Sequence, residues 1–215
     1  MSRSLGKPAT PPRSDERART YSGDANEEVR AIVAATYRVI ERAGTVEPTM
    51  RDILSEAQLS TPAFYRHFKG KDDLLITIIE ESCGRLMQRV SARMDRRKTA
   101  PSKIGAWVSG IVGQAADLDV AAQVRPFAVN FERLAALYPA THRSTTLLMT
   151  DPIIEPVIEL TGFRPARARD ESIVVLRLVV AVMQMHLCDR TQPTKTELDR
   201  LATFIVTGLV GLAAS

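Results

Sequence analysis

The sequence predicts an all-α protein, and three observations carry the prediction. Apolar residues recur at three- and four-residue steps from Asn26 onward. No stretch of any length shows the two-residue alternation of a half-buried strand. Proline and glycine cut the remainder into roughly nine helix-length pieces. The composition agrees: 215 residues, 45% hydrophobic and 25% charged, supply an ordinary globular balance with enough apolar material for a sizeable core.

Residues 1–25 carry three prolines and no apolar period, and are expected to form a disordered basic tail. Arg3, Lys7, Arg13, Arg17 and Arg19 in it suit a phosphate backbone or a minor groove, or simply solvent. The first helix is expected from Asn26 as N-cap, with Glu27 and Glu28 in its first turn. Ile32, Val33, Thr36, Val39, Ile40 and Ala43 follow the helical step, and Gly44 is the stop. A second, short helix runs from about Thr49, its cap, to Ala57, with Ile53 and Leu54 inward. A third begins at Ser60, and a fourth runs from Lys71–Asp72 to about Arg97. Further helices are expected over about 102–118, 120–137, 141–161, 166–190 and 194–214. They are separated at Pro101, Tyr138-Pro139, Gly162 to Pro165, and Gln192-Pro193. Pro126, Pro152 and Pro156 should kink or split the middle helices and open space between them.

Several function classes find no support. There is no Gly-rich phosphate loop and no metal-ligand spacing. The three histidines, His67, His142 and His186, have no local nucleophile or carboxylate partner, so no enzyme, cofactor or metal is expected. Cys83 and Cys188 read as free thiols of a reducing compartment. The first 25 residues lack an apolar signal segment, and the apolar run Ile173–Met185 is interrupted by Arg177 and Gln184. A cytoplasmic protein without a membrane partner follows as the expectation.

The formal net charge of +4 is compatible with nucleic acid, and its distribution is more informative. From Ala57 to Lys71 there is no acidic residue, while Arg66, Lys69 and Lys71 are basic. This is the stretch in which helices two and three meet through Gln58-Leu59, the layout of a helix-turn-helix. Ser60 is a strong N-cap and Pro62 lies in the first turn, where its missing N–H removes no bond, so free backbone donors there favour phosphate. Phe64 and Phe68, four apart, share an inner face. Thr61, Pro62, Tyr65 and Arg66 share the outer one, flanked by His67 and Lys71. Tyr65, His67 and Lys71 are able to donate to phosphates, Arg66 to guanine, and Thr61 and Ala63 to touch a thymine methyl.

The run "PTMRDILSEAQLSTPAFYRHFKGKDDLL" resembles the DNA-binding signature of the tetracycline-repressor (TetR) family. Thr49, Ile53, Ala57, Ser60, Phe64, Tyr65, His67, Phe68, Lys71, Asp72 and Leu74 match. The resemblance covers roughly 27–80. Two positions depart from it: Leu54 replaces a small alanine, and Gln58 stands where glycine is usual. If that turn needs a positive φ, glutamine is strained there by about a kcal/mol.

The resemblance implies a helix-turn-helix head over 26–80 and a helical ligand-binding and dimerisation domain over 81–215. It assigns double-stranded DNA to Thr49, Arg51, Ser60, Thr61, Pro62, Ala63, Tyr65, Arg66, His67 and Lys71. It implies a homodimer through the two most apolar helices, 172–190 and 195–214, with Gly208 and Gly211 permitting close approach. It also implies a repressor that leaves a near-palindromic operator when a small, largely apolar effector binds. Candidate effector residues are Trp107, Phe127, Asn130, Phe131, Met149, Met183 and His186. The alternative is a helical interaction protein whose helix-turn-helix no longer binds DNA. Arg85, Arg89, Arg93 and Arg96, in helical register, suit DNA, an anionic ligand or solvent.

Overall fold

The helical period read after Asn26 folds as α1, Gly23–Ala43, in a computed structural model that describes residues 23–214. The helix is already under way at Gly23, so Asn26 lies inside it rather than at its cap. Its other end is as expected: Gly44 takes a φ of +65° and its N–H donates to the Ile40 carbonyl. The tail residues Arg3, Lys7, Arg13, Arg17 and Arg19 lie outside the described residues.

The head continues with α2, Met50–Ala57, and α3, Thr61–Tyr65. α4, Lys71–Met94, starts in the head and passes unbroken into the larger domain. There follow α5, Ala100–Val112, a 3₁₀ turn over Gly113–Ala115, and α6, Leu118–Val129. Next come α7, Phe131–Leu137, α8, Pro139–Thr161, α9, Pro165–Asp189, and α10, Lys195–Ala214. The described residues thus hold ten α-helices and no strand, one helix more than the periodicity suggests.

The extra helix arises at Asn130. Pro126 inside α6 has no N–H for the ladder, and the Asn130 side-chain amide donates to the Pro126 carbonyl at 2.8 Å. The expected helix over 120–137 therefore divides there. Pro152 and Pro156 remain inside one helix, α8.

Local chemistry sets most boundaries. Thr99 caps α5 through a reciprocal box with Ser102, and Pro101 falls in the first turn rather than ending the previous element. At α10, the Thr194 N–H and hydroxyl donate to the Glu197 carboxylate, and the Glu197 N–H donates back to Thr194. These bonds hold the Glu197 carboxyl below the usual range.

α5 is the axis of the larger domain, with Ile104, Trp107, Val108, Ile111 and Val112 fully buried. It packs on α4, α8, α9 and α10. Gly110 permits the approach of α4: a Cβ there would lie 2.6 Å from the Val90 Cγ2. α9 is long and apolar enough to cross a membrane by length and composition, contrary to the expectation from Arg177 and Gln184. It serves instead as a core helix, burying Val175, Leu176, Val179, Val180, Met183 and Leu187. Both cysteines are free thiols, Cys83 half-buried and Cys188 exposed.

Candidate nucleic-acid interface and effector cavity

Helices α2 and α3 present a shallow concave surface lined by Met50, Arg51, Leu54, Ser55, Gln58, Leu59, Ser60, Thr61 and Tyr65. The backbone that aims it is well defined. The Thr49 hydroxyl accepts from the Asp52 N–H at 3.1 Å and donates to the Asp52 carboxylate at 2.6 Å. The Ser60 hydroxyl accepts from the Ala63 N–H at 3.4 Å. Between the caps, Gln58 sits at φ 55°, ψ 38°, the left-handed region, and its N–H donates to the Leu54 and Ser55 carbonyls. The turn does need the positive φ that the sequence raised as a condition.

Phe64 and Phe68 are buried, with ring centroids 5.5 Å apart. They join Ile32, Ile53, Leu74 and Ile78 in the head core. Thr49, Arg51, Ser60, Thr61, Pro62, Tyr65 and Arg66 are exposed, and Lys71 is half-buried at the start of α4.

Two expected DNA residues are placed otherwise. Ala63 is 4% exposed and faces the core beside Phe64. The His67 ring is also buried, with Nε2 2.6 Å from the Glu28 carboxylate of α1. Ala63 lies within α3 beside Phe64, and His67 lies in the turn after α3, where it meets Glu28 of α1. Neither is available to a base or a phosphate in this arrangement.

Glu28 is shared: the Arg66 guanidinium donates to both its oxygens, at 2.7 and 3.0 Å. The His67 hydrogen bond, with smaller help from Arg66, holds the Glu28 carboxyl below its ordinary value. Arg38 and Arg42 of α1 both bind Glu56 of α2 and lower its carboxyl likewise. Glu28 and Glu56 are therefore paired with cations, while Asp52 accepts from the Thr49 hydroxyl.

The larger domain encloses a cavity of about 340 Å³ between α4, α6, α7, α8 and α9. That is within the size range of small-molecule sites. Leu86, Val124, Phe127, Phe131, Met149, Leu176, Val180 and Met183 give it a mainly apolar wall. Phe127, Phe131, Met149 and Met183 of the expected effector residues are among them.

Trp107, Asn130 and His186 are not in the lining. Trp107 is fully buried at the centre of α5, and its indole N–H donates to the Met149 carbonyl at 2.9 Å. Asn130 is committed to the helix break. His186 is buried with Nδ1 2.8 Å from the Thr191 hydroxyl just beyond the end of α9.

Residues the sequence reading missed include Tyr37, Ser82, Cys83, Gln114, Tyr138, Thr141, His142, Thr145 and Arg177. Polar groups spread over four helices, the 3₁₀ turn and the α7–α8 junction leave no local pattern. Tyr37 and Ser82 share a hydrogen bond of 2.8 Å, and burial pushes the Tyr37 phenol up. Burial also pushes the Cys83 thiol up to about 11. The His142 ring meets Phe131 edge-on at 5.1 Å. Of the expected arginine register, Arg85 is held by Glu81 and Ser82, Arg89 and Arg93 are exposed on α4, and Arg96 is exposed just past its end.

The cavity wall is also the seat of the head. Phe127 packs edge-on against Tyr37 of α1, with centroids 5.8 Å apart. Leu134 joins Ile40, Val46 and Leu75 in one buried cluster, with Phe127 and Tyr138 against it. The Tyr138 hydroxyl donates to Asp72 at the start of α4 at 2.8 Å, and Arg133 pairs with Glu47 in the loop before α2. Burial first, and the acceptor Asp72 second, raise the Tyr138 phenol well above its ordinary value.

Comparison with known proteins agrees with this geometry. Residues 32–78 match the family model described as bacterial regulatory proteins, tetR family. A fatty acid metabolism regulator protein of Bacillus subtilis (strain 168) is 27% identical over 78 residues, which span 36% of this chain and 40% of that relative. The match thus covers less than half of that relative's length. A crystal structure of a transcriptional regulator from Pseudomonas aeruginosa PAO1 superposes with a TM-score of 0.72 at 17% identity, covering 91% of this chain and 94% of that one. The transcriptional regulator FadR from Bacillus subtilis, in complex with stearoyl-CoA, superposes with a TM-score of 0.64 at 18% identity, covering 84% and 97%. Residues 32–78 are thus similar to the tetR family of bacterial regulatory proteins, and the all-helical fold around them is shared with these solved structures.

Proposed function

We propose that this transcriptional regulator is a cytoplasmic, dimeric repressor that leaves its operator when a small, largely apolar effector fills the cavity. The observation that carries the proposal is the double use of residues 127–138. Phe127, Leu134 and Tyr138 line the cavity and also bed the head. An effector that fits one arrangement of this wall better than another biases where the head sits, and only by that difference in affinity.

On the DNA side, Tyr65, Lys71 and Thr49 serve phosphates, while Arg51, Ser60, Thr61, Pro62 and Arg66 face the groove. Arg66 has to exchange Glu28 for a base edge. The dimer uses α9 and α10. Val174, Leu178 and Met185 on α9 and Phe204, Val210 and Leu212 on α10 are large apolar side chains left exposed, and no atom stands within 4 Å of a Cβ placed at Gly208 or Gly211. A second copy of the same face is the simplest cover. The relatives named for fatty acid regulation, one of them crystallised with stearoyl-CoA, support an acyl chain as the effector's apolar body.

The test selects duplex DNA from a random pool with purified protein, then measures Tyr65→Ala and Lys71→Ala on the selected sequence. Both variants should bind at least about tenfold more weakly, and log K should fall steeply with log salt. Failure to enrich any sequence, with no salt dependence, would favour the alternative of a helical interaction protein. Sedimentation equilibrium checks the dimer.

A further inference from the structure

The cavity changes character between its floor and its mouth. Leu86, Leu176, Val180 and Met183 are buried, whereas Gln123, Glu132, Arg177 and Ala181 are exposed lining residues and mark the opening. At 100° per residue along α9, Arg177 stands between the cavity side, Ile173, Val180 and Gln184, and the exposed apolar side, Val174, Leu178 and Met185. Its guanidinium enters none of the ion pairs among the described residues. Arg125 is committed to the Leu187 carbonyl, Arg133 to Glu47 and Arg85 to Glu81, and the remaining basic group of the lining is the His142 ring against Phe131. Gln184 spends its amide on the Ala128 carbonyl and Gln114 on the Met183 sulfur.

We infer that the effector has an apolar body and an anionic head, and that Arg177 holds the head at the cavity mouth. This rests on the reading of the cavity as the effector site. The division follows from desolvation. An ion carried to the apolar floor would lose its water without a partner, whereas one at the mouth keeps part of its hydration and gains a planar, two-pronged donor. The apolar body then replaces water along the floor. Carboxylates and phosphate-bearing thioester heads share this chemistry. Glu132 of α7 is the opposing charge at the same mouth, and it sets a limit on how tightly any anion is held.

The experiment titrates the full-length protein with hexadecanoate, hexadecanoyl-CoA and hexadecan-1-ol below their micellar ranges, by displacement of a fluorescent lipid probe. One or both anionic ligands should bind about tenfold tighter than the alcohol. Arg177→Ala should remove that advantage and leave the alcohol within about twofold, and Glu132→Gln should strengthen the anion by a few-fold. The exposed site makes misfolding of either variant unnecessary, and unchanged melting curves verify it. Preference for the thioester over the acid identifies the head as the phosphate-bearing one, and the reverse identifies a carboxylate. Equal binding of alcohol and anions, or an Arg177→Ala loss shared by all three ligands, overturns the inference while leaving the cavity as the effector site. Binding of none of the three overturns both.

Discussion

Replacing Gln58 by glycine should stabilise the protein, and the size of the effect follows from one torsion angle. Gln58 has a φ of 55° and a ψ of 38° in the turn between α2 and α3. A side chain in the left-handed region costs roughly 1–2 kcal/mol. Glycine removes that cost but adds about 0.5–1 kcal/mol of backbone entropy to the unfolded chain. The side chain is exposed and enters no side-chain hydrogen bond among the described residues, so little packing is lost. The net gain is about 0.5–1 kcal/mol, or roughly 1–4 °C in Tm for a chain of this length. Gln58→Asn should fall between, because asparagine tolerates the region better and keeps its Cβ. Gln58→Ala should melt like the parent. Calorimetric scans of the four proteins decide it. If glycine melts no higher than alanine, the turn is not strained and the torsional argument is wrong.

Gly110→Ala should destabilise by about 1–3 kcal/mol through overpacking against Val90, seen as a lower denaturation midpoint with an unchanged slope. Cys188 should alkylate at pH 8 about two orders of magnitude faster than Cys83, whose thiol sits at about 11, and a cavity ligand should slow Cys83 further; mass spectrometry of labelled peptides reads both. Glu28 has a lowered carboxyl, so its contribution is complete above the ordinary carboxylate value and is lost as pH falls through the depressed one. Melting should therefore fall more steeply between about pH 5 and 3 in the parent than in Glu28→Gln. Tyr138→Phe should change the effector dose needed for DNA release by less than about fivefold, whereas Leu134→Ala should change it by more, both read by titrating the protein–DNA complex.

The head was legible because its signals are local. A cap, a proline in the first turn and two phenylalanines four residues apart define α3 within one turn of chain, and the same spacing put Tyr65 and Arg66 outside. Ala63 and His67 read as outer residues in the sequence but lie inward, Ala63 beside Phe64 within α3 and His67 in the turn after it, against Glu28. Glu28, the reason, lies 39 residues away from His67. In the larger domain the helices were legible, but not their faces. Trp107 reads equally well as cavity or core until α5 is known to be the central helix. His186 and Asn130 look like isolated polar groups in apolar helices until Thr191 and the Pro126 carbonyl are found beside them. Pro126 with Asn130 four residues on is the one pattern from which the division of α6 and α7 was recoverable.

Magnitudes indicate which part of the shared wall would carry the proposed coupling. The Arg133–Glu47 pair is largely exposed and the Tyr138–Asp72 bond is at the surface, so each contributes on the order of 0.2–1 kcal/mol. Moving a two-state equilibrium from mostly bound to mostly released takes roughly 5.5 kcal/mol of differential affinity. The polar links fall well short of that and serve better to fix register. Burying one large apolar side chain is worth about 1.5–3 kcal/mol, and Phe127 and Leu134 are two such groups with one side on the head and the other on the cavity. A ligand that displaces them even partly acts on the same apolar surface that seats α1 and α4.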